Sequence, residues 1–182
     1  METQTKLVLH KPYRAMDVAN YLVQHFIDQH RPINNTLLLK ILYYLQADSL
    51  RQSNVPLFED TIKKWGYGPI VPHVYSYFKS YGAAPITQMM EYVVINADNS
   101  WGLIKPSKRT LAPADIYQIN KLADEICLKY QGKEFQLVKL SCKDPLWLES
   151  KAEIEHGNMD IPYTNKEIAE YFSKPDKWYW KY

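Results

Sequence analysis

Five histidines, two cysteines and scattered carboxylate–amine neighbours are the side chains here that could do chemistry. Their spacing nominates very little of it. His10, His25, His30, His73 and His156 stand at no metal-ligand spacing from one another or from Cys127 and Cys142. Cys142 as a nucleophile needs a base that no neighbour supplies. Glu149-Ser150-Lys151 matches the tail of a nuclease ExK signature, but on an expected helix rather than a strand. No GxxxxGK[ST], GxGxxG, HExxH or GxSxG pattern occurs. Lys105, Lys108 and Arg109 form a small basic cluster that reads as a solvated face before it reads as a phosphate site. The expectation is a protein without catalytic residues, metal or cofactor, so function must come from a binding surface. One charged residue stands out, Lys40, because its neighbours are apolar. Either its stem covers apolar surface while the ammonium reaches water, or it forms a fixed ion pair with a carboxylate near the Gly/Pro turn that follows.

The elements that must position these residues are mostly helices. Apolar spacing predicts a first helix over roughly 15–29, with Val18, Leu22, Phe26 and Ile27 on one face. A second helix starts at Asn35-Thr36, either of which can cap it. From Leu37 to Leu45 only Lys40 interrupts an apolar run, and a helix apolar all round is buried all round. From Asp48 to Asn54 the same helix turns polar and is expected to emerge into solvent. Trp65-Gly66-Tyr67-Gly68-Pro69 cannot be regular helix. Pro72 suits the first turn of a short helix over about 71–80, with Val71, Val74, Tyr75 and Phe78 on one side. Residues 89–95 and 101–104, flanking the turn Asn96–Ser100, read as a β-hairpin. Helices follow from Pro113 to about Tyr130, from Glu134 to Ser141 (with Phe135, Val138 and Leu140) and near Asp144-Pro145. The capping box Thr164–Glu167 opens the last one. The fold class is mainly α: a compact multi-helix domain around a buried central helix, with one small β-hairpin. It reads as one domain over 1–182, with a polar lead-in (1–13, including an extended Leu7–Leu9) and an aromatic tail (174–182).

Composition narrows the class of partner. Lys plus Arg number 22 against 20 Asp plus Glu, so the net charge of +2 gives no long-range pull on nucleic acid. The longest strongly apolar run, Ile41–Leu45, is far short of a membrane span. Neither a signal peptide nor a disulfide framework is expected, which suits a reduced, cytoplasmic protein. The 15 tyrosines suggest half-buried contact surfaces. Trp178, Tyr179 and Trp180 in the tail either fold back as a clasp or anchor a partner.

The stretch from Asn35 to Tyr81 carries a series of recognisable segments. Leu39-Lys40-Ile41-Leu42-Tyr43-Tyr44-Leu45 is followed by Pro56-Leu57-Phe58, then by Trp65-Gly66-Tyr67-Gly68-Pro69-Ile70-Val71-Pro72-His73-Val74-Tyr75. This series resembles the Panacea, or SocA-like, antitoxin domain, also found in phage-associated proteins of the GepA type. The resemblance runs from about Ala15 to Phe172. It departs late: that family tends to carry a Thr-His or Ser-His pair before Pro-Trp, and this chain has Ser141-Cys142 and then Pro145-Leu146-Trp147. The resemblance implies a helical, non-catalytic antitoxin that neutralises a cognate toxin, encoded by the adjacent gene, through direct binding. One branch delivers its toxin to a cytosolic AAA+ protease. The alternative is a phage-related or host regulatory protein-binding module with no toxin partner. Lys40, Tyr43, Trp65, Tyr67, Gly68, Pro69, His73 and Tyr75 are the residues the resemblance marks, with Trp65, Tyr67 and Tyr75 expected to serve shape first.

Overall fold

The computed structural model describes residues 10–178. Leu7–Leu9, Tyr179 and Trp180, named above, lie outside the described residues. Among those described there are eight α-helices and two antiparallel two-stranded sheets. No described helix is long and apolar enough to cross a membrane.

Helix α2 (Asn35–Ser53) is the axis. Every residue from Leu37 to Leu50 is buried. Helices α1 (Ala15–Asp28), α4 (Pro113–Tyr130), α5 (Glu134–Ser141) and α8 (Asn165–Phe172) pack around it. Its cap is Asn34, one residue earlier than the sequence suggested; the Asn34 side chain accepts from Leu37 N at 2.9 Å. The expected emergence at Asp48 is corrected. Asp48 and Ser49 are buried, and exposure begins at Arg51. Asp48 can stay inside because its carboxylate accepts from Arg51, Gln52 and Gln118.

The Gly/Pro region is itself a hairpin, additional to the one expected. Strands β1 (Lys63–Trp65) and β2 (Gly68–Ile70) pair with Trp65 opposite Gly68. Helix α3 (Pro72–Phe78) follows, with Pro at its start, and a 3-10 turn over Lys79–Tyr81 ends at Gly82. Val71, Val74 and Phe78 are buried as expected, but Tyr75 faces outward. The second hairpin joins β3 (Tyr92–Ile95) to β4 (Trp101–Ile104). It is tied to the helices by polar side chains. Asn20 of α1 both donates to and accepts from the Met90 backbone, Tyr92 donates to Asp17, and Tyr77 accepts from Val93 N.

The segment after Asp144 is two short helices rather than one, α6 (Pro145–Leu148) and α7 (Lys151–Glu155). In α5 the inward residues are Leu137, Val138 and Ser141, while Phe135 is exposed. Thr164 caps α8, accepting from Glu167 N at 3.1 Å, and the Glu167 carboxylate takes both the Thr164 hydroxyl and the Lys64 ammonium. Trp178 closes the far side of α2. It is buried edge-on to Phe172 and Tyr44, under the Arg51 guanidinium. That much of the tail is a clasp.

Candidate functional site: a carbonyl cradle and an apolar cleft

Lys40 follows neither expected course. It is 2% exposed, and its ammonium donates to two main-chain carbonyls, Tyr67 O at 2.5 Å and Pro69 O at 2.9 Å. No described carboxylate pairs with it. Its stem cannot reach water because the β1–β2 turn lies across its end. Burial pulls its pKa down to about 7, with the nearby Cys142 thiol acting in the opposite direction.

The same turn is held at each accessible carbonyl. Trp147 of α6 donates its indole N–H to Trp65 O at 2.8 Å. The Cys142 thiol, capping α5, lies 3.9 Å from Gly66 O. Lys40 of α2 holds Tyr67 O and Pro69 O. Donors from three helices thus converge on five consecutive residues, and unpaired buried carbonyls would be costly. Gly68 makes the close approach possible. Its φ is +83°, and a Cβ there would sit 2.5 Å from Ser141 Oγ and 3.3 Å from Lys40 Nζ. Cys142 stands where the resemblance led us to expect a histidine, and it occupies a donor position in this cradle.

Tyr43 extends the polar interior, donating to Asp144 at 3.2 Å; the buried Asp144 also caps α6 through Leu146 N. One residue of this kind was missed in the sequence. Gln46 accepts from Leu57 N and Phe58 N and donates to Phe58 O, so it holds the Pro56-Leu57-Phe58 segment by its backbone. A lone amide in an apolar helix was the available signal.

The remaining marked residues reach the surface. Trp65 is half-buried; its indole donates to Met159 O at 2.9 Å and its ring meets Tyr75 edge-on at 5.3 Å. Tyr67 is 69% exposed, beside Phe135. His73 leaves the cradle altogether. It lines a cleft of about 760 Å³ between α3 and the β3–β4 hairpin. His73 Nδ1 is 3.6 Å from Asp60, and its ring contacts Tyr77 and Tyr92. Among the described residues no group of three or more His, Cys, Asp or Glu could hold a metal ion.

The cradle can position and the cleft can bind. Neither the curated proteins nor the solved structures contain a match to this chain. A family model does match, that of the antitoxin SocA-like Panacea domain, over residues 38–148, which include Lys40, the whole cradle and both hairpins. That span is more than half of the 182 residues, and the chain belongs to the SocA-like Panacea antitoxin-domain family.

Proposed function

We propose that this protein is the antitoxin of a toxin–antitoxin pair and that it neutralises a cognate protein toxin by direct binding, without catalysis. The observation that carries this reading is the family match over residues 38–148. The geometry supports it, because the segments that mark the family build a well-held scaffold and leave apolar side chains on its surface. Val93, Ile95, Trp101 and Leu103 on the second hairpin are all exposed, as are Tyr67 and Phe135 beside the first. Exposed aromatic and aliphatic side chains on a well-held scaffold are what protein recognition uses. Delivery of the bound toxin to an AAA+ protease is a further step of the same reading.

The test is co-expression with the product of the adjacent gene. That product alone should arrest growth, and this chain should relieve the arrest and co-purify with the toxin. A harmless neighbour, or one that stays toxic in the presence of this chain, overturns the reading. The protease step is checked separately by toxin half-life with and without this chain.

A further inference from the structure

The β3–β4 hairpin has two unlike faces. Tyr92, Val94, Gly102 and Ile104 turn toward the helices. Val93 pairs across the strands with Leu103, and Ile95 with Trp101, and these four turn outward. Antiparallel strands with one solvated face ordinarily alternate apolar with polar residues. Here the solvated face is apolar throughout, with Trp101 75% and Ile95 64% exposed. That face runs into the 760 Å³ cleft, where Val93, Ile95 and Trp101 form one wall.

The opposite wall is acidic. Asp60 accepts from Ala15 N at the start of α1 and has His73 at 3.6 Å. Glu59 is exposed and has no ion partner among the described residues. Arg14, which is exposed, also lines the cleft and adds one positive charge beside them. Two carboxylates, Glu59 and Asp60, against the one guanidinium of Arg14 leave the lining of the cleft negative on balance, in a chain whose net charge is +2.

We propose that this cleft is where the partner docks, and that its occupant is a cationic amphipathic segment of the partner protein. The segment's apolar stripe lies on Val93, Ile95 and Trp101, and its Lys or Arg side chains face Glu59 and Asp60. The proposal rests on the antitoxin reading and names the seat and the chemistry of the partner it requires. Charge complementarity selects the occupant, because an anionic segment meets two carboxylates and a purely apolar one leaves Glu59 desolvated without a counter-ion. Trp101 is the expected anchor, since Trp dominates interface energetics.

The experiment measures the affinity of the full chain for the adjacent gene product by calorimetry. Three cleft variants are compared: Ile95→Ser with Trp101→Ser, Glu59→Gln and Glu59→Lys. Tyr117→Ser, at an exposed position on α4, is the control. All four positions are exposed, and thermal melts confirm that each variant folds. The double variant should weaken binding at least about tenfold and Glu59→Lys by a similar factor, with Glu59→Gln between it and the wild type and Tyr117→Ser unchanged. Overlapping peptides of the partner then identify the segment, which should carry Lys or Arg beside an apolar stripe. If the wild type binds and neutralises while the cleft variants do so equally well, the cleft proposal falls and the antitoxin reading stands. An acidic binding peptide overturns the proposal as well. So does a dimeric free chain that the double variant converts to monomer, because the face would then belong to a second copy. If the wild type itself binds nothing, it is the antitoxin reading that fails.

Discussion

The two hairpins of this protein are built alike and set oppositely, one held by the helices and one turned to solvent. In β1–β2 the strands are three residues long, β2 is buried at every position, and the carbonyls of the turn are held by side chains from α2, α6 and the end of α5. In β3–β4 the turn closes on itself through Asn96, Asp98 and Ser100, and the outer face meets solvent with four apolar side chains. The first hairpin contains the segment by which the family is recognised; the second has no motif. Recognisable residue types mark positions where geometry tolerates few substitutes, such as a Gly at positive φ or a Lys cut to length for two carbonyls. A binding face tolerates many residues, provided they are apolar and exposed. The difference predicts that mutations in the first hairpin register in stability and mutations in the second register in binding.

The largest stability effect should come from Gly68→Ala. A non-glycine residue at positive φ costs about 1–2 kcal/mol, and displacing Ser141 adds about 1–3 kcal/mol of overpacking. The sum, about 2–5 kcal/mol, is readable by urea denaturation. Pairing it with Ser141→Ala removes the hydroxyl that the new methyl meets, and should recover the packing part while leaving the φ strain. A Gly68→Ala protein as stable as the wild type would show that the turn is not held as tightly as its contacts imply.

Lys40→Met comes next, and its effect should depend on pH. At pH 7 it leaves Tyr67 O and Pro69 O without donors, at about 1–3 kcal/mol. The pKa of Lys40 is about 7 in the folded chain against an ordinary 10.5. Between those values the unfolded chain binds a proton that the folded chain does not, so wild-type stability rises with pH across that window. The slope approaches about 1.4 kcal/mol per pH unit. Without the amine this rise disappears, and the deficit of Lys40→Met should widen from pH 7 toward 10.5. From about pH 9 the thiols, ordinarily 9.0 but raised by burial in Cys127 and Cys142, titrate first in the unfolded chain and pull the stability of both proteins down. Denaturant midpoints of both proteins at several pH values check this, and parallel profiles would mean that Lys40 keeps an ordinary pKa.

Lys40 also shows where sequence reading stops. Its helix, its burial and its oddity were all legible from Leu37–Leu45. Its partners were not, because reasoning from residue types looks for a carboxylate, and the acceptors are main-chain oxygens that every residue owns. Gln46 was hidden for the same reason. The burial of Asp48 escaped because three polar partners, one of them 70 residues away, satisfy it. Tyr75 fitted a helical face by spacing, yet it lies outward, against Trp65. Of the site, the cradle residues could be named but not assembled. The strands of the second hairpin could be placed, but which face meets the core depends on Tyr92 finding Asp17 and Tyr77 finding Val93, contacts across 75 and 16 residues.

The smallest stability effect should come from the outer face of that second hairpin, and its smallness is the informative part. Ile95 and Trp101 are cross-strand partners, so replacing both with Ser removes one apolar pair, worth roughly 0.2–1 kcal/mol. Little else is lost, because both side chains are mainly in water already. Removing exposed apolar surface also lessens a liability for association, which offsets part of that cost in handling if not in free energy. The double variant should therefore melt within a few degrees of the wild type while losing its grip on the partner. Gly68→Ala at a temperature where it remains folded should do the reverse, keeping affinity with reduced stability. If instead the hairpin variant unfolds, Ile95 and Trp101 belong to the scaffold like the residues of the first hairpin. The division between a turn that makes the shape and a face that reads the partner would then be wrong at its second half.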